Sequence, residues 1–200
     1  MAIVTLVSGG IDSTVMSLLA QEEGIKLFPL FVNYGQRSAR LEWFACQHVH
    51  ARFGLPTVER VDLCDFGRLV SSGLTDPKQH VYEDAFQPGR NLLLLVAGAA
   101  YAVEVGADGV ALGLLDPGRR LFDDQTEEFV NRAEDAIRLS VGRSVSVLAP
   151  LIGCSKRDVL RLARERGVSK TYSCHAGEEE VCGGCIACRE IADAKREGED

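Results

Sequence analysis

The 200-residue chain has no apolar run near the ~18 residues needed to cross a bilayer, which argues against a helical membrane protein. Its opening residues, MAIVTLVSGG, lack a basic start and a small-residue cleavage site, so no secretory leader is expected. Positive charge is scarce: 22 Lys plus Arg face 29 Asp plus Glu, a formal net charge of −7. That balance argues against tight, stable nucleic-acid binding, which draws on a positive field, and leaves room only for a local basic patch. There is no internal repeat and no low-complexity tract. Seven cysteines, an odd number without a leader, argue against a disulfide framework and point to a reducing, cytoplasmic setting. What remains is 46% hydrophobic and 26% charged, the composition of a folded globule with one sizeable core.

Short apolar runs alternate with helical patterns. Ala2–Val7, Leu27–Asn33, Thr57–Asp62, Gly109–Gly113 and Val145–Ala149 read as strands. Asp12–Glu22, Ser38–Phe53, Asn91–Val105, Thr126–Val141 and Lys156–Arg166 read as helices. Within Ser38–Phe53 the pattern places Leu41, Phe44, Ala45, Val49 and Phe53 on one apolar side, with Trp43 and Phe44 in the core. Cys64–Gly89 reads as loop-rich, Asp116–Asp124 as a polar turn, and Lys195–Asp200 as a solvated tail. The alternation predicts an α/β fold, a doubly wound, Rossmann-like parallel sheet with helices on both faces. Ligands of such sheets bind at the carboxyl ends of the strands.

The first loop there is Ser8-Gly9-Gly10-Ile11-Asp12-Ser13, between a strand and a helix. It is neither the eight-residue Walker loop with its lysine nor G-x-G-x-x-G. Two glycines let the backbone approach an anion, and the helix start offers unpaired N–H groups and a favourable dipole. Ser8 and Ser13 add hydroxyls, and Asp12 suits a Mg²⁺ ion bridging phosphates. Near the other end stands Cys174-x7-Cys182-x2-Cys185-x2-Cys188. Four thiolates with two C-x-x-C steps suit tetrahedral Zn²⁺ that staples the segment. An iron–sulfur cluster and a reactive persulfide thiol are the rival uses, and His175 is a spare ligand beside Cys174.

The loop resembles the pyrophosphate loop (PP-loop) of the N-type ATP pyrophosphatases, whose fold is that of the adenine nucleotide alpha hydrolases. Together with the cysteine spacing, three further stretches resemble the 7-cyano-7-deazaguanine synthase family. They are Tyr34-Gly35-Gln36-Arg37, Pro88-Gly89-Arg90-Asn91, and Pro150-Leu151 followed by Ser155-Lys156. The resemblance runs colinearly over residues 3–192. It implies a PP-loop domain over 1–170 and a packed Cys₄ zinc segment over 171–195. It implies ATP bound by Ser8 to Ser13, a deazaguanine carboxylate and ammonia as co-substrates, and substrate contacts from Tyr34, Gln36, Arg90 and Asn91. Catalytic roles fall to Asp12, Arg37, Arg90, Asp116 and Lys156, with Mg²⁺ and Zn²⁺ as metals and a homodimer as the assembly.

The residues carry physical readings of their own. Arg37 and Arg90 can fork onto phosphate or carboxylate. Asn91 either reads an amide edge or caps a helix. Lys156 sits at a helix start, the wrong end for its charge, which suggests an anionic ligand. Asp116 either holds metal or base or opens a turn with Pro117. Two departures from the family pattern concern the acceptor side: Ser38 stands where a histidine is usual, and Asp116–Asp124 replaces a Tyr-Pro-Asp-Cys stretch. They leave two other acceptors open, a protein N-terminal amine and a tRNA, besides a non-enzymatic nucleotide sensor.

Overall fold

The computed structural model describes residues 1–115 and 121–196. Asp116, and with it most of the turn expected over 116–124, lies outside them.

Five strands form one parallel sheet: β1 Ala2–Leu6, β2 Lys26–Asn33, β3 Glu59–Asp62, β4 Gly109–Ala111 and β5 Ser146–Leu148. Their order is β3-β2-β1-β4-β5. The chain therefore winds outward from β1 to β3, returns to β4 beside β1, and winds the other way. The crevice between β1 and β4 is the switch point of the sheet, where such folds place ligands. Pro29 interrupts the interior strand β2 without cost to the outer pairing, because β3 joins only from Leu30 onward.

Side chains alternate between faces, as a period of two requires. Val4 and Leu6 of β1 pack with Leu30 and Val32 of β2 against α4 (Arg90–Val105) and α5 (Glu127–Ser140). Ile3 and Leu27 pack on the opposite face against α1 (Ile11–Glu22) and α6 (Lys156–Glu165). Farther along that face, Val7 and Phe31 meet Cys46 and Trp43 of α2 (Ala39–Phe53). Gly98 of α4 is a spacing requirement: a Cβ there would sit 2.5 Å from Val110 Cγ2 of β4.

The predicted strands and helices are all present, with ends shifted by a residue or two. Two further helices were read otherwise. α3 (Cys64–Leu69) stands inside the segment expected to be loop-rich, a single short turn that no apolar periodicity announces. α7 (Ile186–Arg196) follows the last cysteines and packs on α6, so Lys195 and Arg196 end a helix rather than open a tail. Asp123–Gln125 is a 3-10 turn. Phe44 is 59% exposed, against the expected core position. The buried stripe of α2 runs through Glu42, Ala45, Cys46, Val49 and His50, one helical step away from it.

Candidate active site

The loop after β1 folds on its own hydroxyls. The Ser8 and Gly10 N–H groups donate to Ser13 Oγ and Ser8 Oγ, each at 3.2 Å. Thr14 returns its hydroxyl to the Gly10 carbonyl at 2.8 Å. Gly9 has φ of 73°, and a Cβ there would lie 2.4 Å from the Glu42 carbonyl oxygen and 2.5 Å from Cys46 N. Only glycine satisfies both the backbone and the space. No side chain of its own N-cap residue, Gly10, bonds the start of α1. Its first N–H groups thus face the cavity, except that Ile11 N–H donates to Ser173 Oγ at 3.3 Å.

The turn after β2 is held by its own polar side chains. Gln36 Oε1 accepts from Tyr34 N–H at 2.9 Å, which turns its amide nitrogen towards Glu42 Oε2, also at 2.9 Å. Ser38 donates its hydroxyl to Glu42 Oε1 at 2.7 Å. Burial pushes the Glu42 carboxyl up, opposed by these two donors and by the nearby Arg90 guanidinium. Arg37 turns away: its guanidinium donates to the Gly73 carbonyl at 3.3 Å, and it is not among the residues lining the cavity.

Arg90 opens α4 behind Gly89, a glycine at φ of 77°. Its guanidinium lies 6.0 Å from the centre of the Tyr34 ring and donates to Asn91 Oδ1 at 3.2 and 3.3 Å. Asn91 donates in turn to the Asp124 carbonyl at 3.0 Å, so it ties α4 to the 3-10 turn and does not cap the helix.

Lys156 opens α6 through a reciprocal capping box between Ser155 and Asp158. Its ammonium is largely buried and meets both Asp12 oxygens, at 2.7 and 2.8 Å, with Glu190 of α7 at 3.5 Å. The two acids explain how a lysine sits at the unfavourable end of a helix. They also place the Asp12 carboxylate, expected to face Mg²⁺, against an ammonium. Burial raises the Glu190 carboxyl, moderated by Lys156.

The Sγ atoms of Cys174, Cys182, Cys185 and Cys188 all lie within 4.8 Å of one another. Backbone N–H groups of Cys182, Cys185 and His175 point at three of these sulfurs, at 3.3 to 3.4 Å. Burial works against a thiolate at Cys182, but the N–H groups of Cys185 and Gly184 outweigh it and bring the thiol down to about 7. A soft tetrahedral metal fits this donor set. His175 is not part of it. Its ring lines the cavity with Nδ1 unpartnered, and burial, then the charges of Arg90 and Lys156, push it down to about 4. The same segment reaches the glycine loop, where Tyr172 N–H donates to the Gly9 carbonyl at 2.9 Å.

These parts enclose one cavity of about 250 Å³ at the switch point. The loop forms its floor, Arg90 and Asn91 one wall, Glu42 and Gln36 another, and Ser173 and His175 a rim. Of the residues singled out in the sequence, Ser8, Gly10, Asp12, Ser13, Tyr34, Gln36, Arg90 and Asn91 line it, and Lys156 reaches it through Asp12. Glu42, Gln125, Ser173, His175 and Glu190 escaped the sequence reading. Only Glu42 carried a signal, as a carboxylate on the buried stripe of an amphipathic helix.

Known proteins give three findings. Residues 2–197 match the family described as "Queuosine biosynthesis protein QueC". The chain is 30% identical over 201 residues to a 7-cyano-7-deazaguanine synthase of Nitratiruptor sp., covering 94% of this chain and 91% of that protein. It is 31% identical over 205 residues to one of Caldicellulosiruptor bescii, covering 97% and 92%. Among solved structures, the U34-tRNA thiolase NcsA from Methanococcus maripaludis, described with its [4Fe-4S] cluster, superimposes with a TM-score of 0.59 at 18% identity. The match spans 100% of this chain and 66% of that one, and it shows a shared fold.

Proposed function

The chain belongs to the QueC family of queuosine biosynthesis proteins, and from that premise we propose that it converts 7-carboxy-7-deazaguanine and ammonia to 7-cyano-7-deazaguanine at the expense of two ATP. The observation that carries the reading is the junction of two cation sources, Arg90 and the Asp12–Lys156 pair, with the unpaired N–H groups of the glycine loop in one cavity.

The substrate carboxylate attacks the α-phosphorus of ATP, and pyrophosphate leaves. The loop N–H groups and the start of α1 receive that anion, as helix N-termini do. Mg²⁺ arriving with ATP takes the Asp12 carboxylate, which frees Lys156 to turn to a phosphate. Ammonia attacks the acyl-adenylate and expels AMP, giving the amide. A second ATP adenylates the amide oxygen, and loss of AMP and a proton leaves the nitrile. Arg90 is placed to hold the negative charge that builds at the acyl centre. The protein supplies position and charge rather than covalent chemistry. The four cysteines would hold Zn²⁺, which fixes the segment 171–195 over the body 1–170. A homodimer working in the cytoplasm completes the reading.

Mass spectrometry of the products tests it. Purified protein is mixed with Mg-ATP, 7-carboxy-7-deazaguanine and ammonium, with pyrophosphate followed in parallel. The nitrile together with AMP and pyrophosphate is the expected result. Pyrophosphate release that stops at the adenylate or amide would redirect the acyl group to another amine, such as a protein N-terminus. No turnover by metal-replete protein that binds ATP would remove the deazaguanine acid as substrate.

A further inference from the structure

Glu42 is the least expected group in the cavity. Its residue is 9% exposed, it lines the cavity wall, and among the described residues no lysine or arginine lies within ion-pair distance of it. Its two partners are neutral donors, an amide and a hydroxyl, both approaching from its own turn. A buried carboxylate without a cation costs several kcal/mol (order of magnitude) unless something else compensates. Packing does not require it, since Ala45, Cys46 and Val49 supply the apolar stripe on the same helix.

The hydrogen bonds fix its character. Gln36 cannot flip, because its carbonyl oxygen is engaged by Tyr34 N–H, so it presents N–H to Glu42. Ser38 likewise donates. Each carboxylate oxygen thus accepts one bond from the protein and keeps acceptor capacity for the cavity. Two acceptors side by side match a ligand edge with two parallel N–H donors, the bidentate geometry that also pairs carboxylates with guanidinium groups. A guanine-type base has that edge, its ring N1–H next to the exocyclic 2-amino group. Adenine does not: its ring nitrogen is an acceptor and would face a carboxylate oxygen lone pair to lone pair.

We infer that Glu42 is a specificity-determining residue that selects the substrate by the paired N–H edge of a guanine-type base, with Gln36 and Ser38 holding its carboxylate in register. The inference rests on the proposed deazaguanine substrate and names how that substrate is told apart from the adenine of ATP in the same cavity. A site built to receive two N–H groups rejects a ligand lacking one of them, because its own acceptor is left unpaired.

The test uses the intact, metal-replete protein and needs no mutation at first. Binding of 7-carboxy-7-deazaguanine is compared with that of its analogue lacking the 2-amino group, and α,β-methylene-ATP is titrated separately. Guanine against hypoxanthine, which differ by the same amino group, repeats the comparison without the acid. Wild-type protein should prefer the amino-bearing member of each pair by roughly 30-fold or more. Glu42→Gln, which puts a donor where one acceptor was, should erase that preference and raise KM for the acid about 100-fold, with kcat reduced far less and α,β-methylene-ATP affinity within about 3-fold of wild type. Glu42→Asp, shorter but still doubly accepting, should keep part of the preference. A wild type indifferent to the 2-amino group overturns the inference even if the nitrile forms. So does a Glu42→Gln protein that loses the ATP analogue, since the carboxylate would then serve the vicinal diol of ribose. Selection for the amino group without nitrile formation would retain the role of Glu42 and overturn the proposed reaction instead.

Discussion

Single residues decide whether the nucleotide loop can exist. Gly9 combines a left-handed backbone with contacts of 2.4 and 2.5 Å for any added Cβ, both to backbone atoms of α2 that cannot yield separately. Gly9→Ala should therefore lower pyrophosphate release by at least about 100-fold, measured with a coupled phosphate assay, while the far-UV spectrum stays that of an α/β fold. Thr5 is the opposite case. It is fully buried in β1, and its hydroxyl has no hydrogen-bond partner. Thr5→Val exchanges an unsatisfied hydroxyl for a methyl of similar shape. It should raise stability by about 1 kcal/mol, read as a higher denaturation midpoint at unchanged slope. The sequence made the loop legible because its meaning lies in a contiguous string. Glu42 and His175 were not legible in that way. Their roles depend on what faces them across the fold, and a lone carboxylate or imidazole looks the same on a surface as in a cavity.

Among the elements, the strands and long helices could be read from apolar periodicity, and the errors fall where periodicity has nothing to act on. Six residues of α3 make fewer than two turns. α7 begins inside the cysteine cluster, where ligand spacing hides helical spacing, and its buried residues are alanines, Ala187 and Ala194. Phe44 shows the converse error, since an aromatic next to a buried stripe was counted within it. α6 has a purpose beyond packing, because its first residue carries the ammonium that meets Asp12. Ser155→Ala removes the hydroxyl that accepts from Asp158 N–H, and it should cost about 1 kcal/mol of stability in chemical denaturation. Lys156 loses its fixed starting turn as well, so turnover should fall more than that stability loss alone explains at temperatures where the variant is folded.

At the scale of the whole molecule, two environmental dependences follow. His50 is buried, and desolvation holds its imidazole below the usual 6.5, against the hydrogen bond with the Pro56 carbonyl at 2.8 Å. Between 6.5 and that depressed value the unfolded chain binds the proton and the folded one does not. Stability therefore falls as the pH is lowered through this window. Denaturation midpoints measured from pH 7.5 down to 5 should show the fall, and His50→Gln should flatten it. Metal removal acts through the C-terminal segment. Stripping the four thiolates with a mercurial reagent and chelator should lower the melting temperature by on the order of 10 °C. Because Tyr172 and Ser173 contact the glycine loop, it should weaken α,β-methylene-ATP binding about 10-fold in the same titration. The bond from Tyr172 to Gly9 also has a meaning in time. During synthesis the glycine loop leaves the ribosome early, and the residues that complete it follow only after roughly 160 more amino acids, on the order of ten to thirty seconds later. For that interval the nascent chain carries an unfinished nucleotide loop. ATP chemistry would then switch on as a consequence of finishing translation, and a chain broken off before the cysteines would be unlikely to consume ATP to any effect.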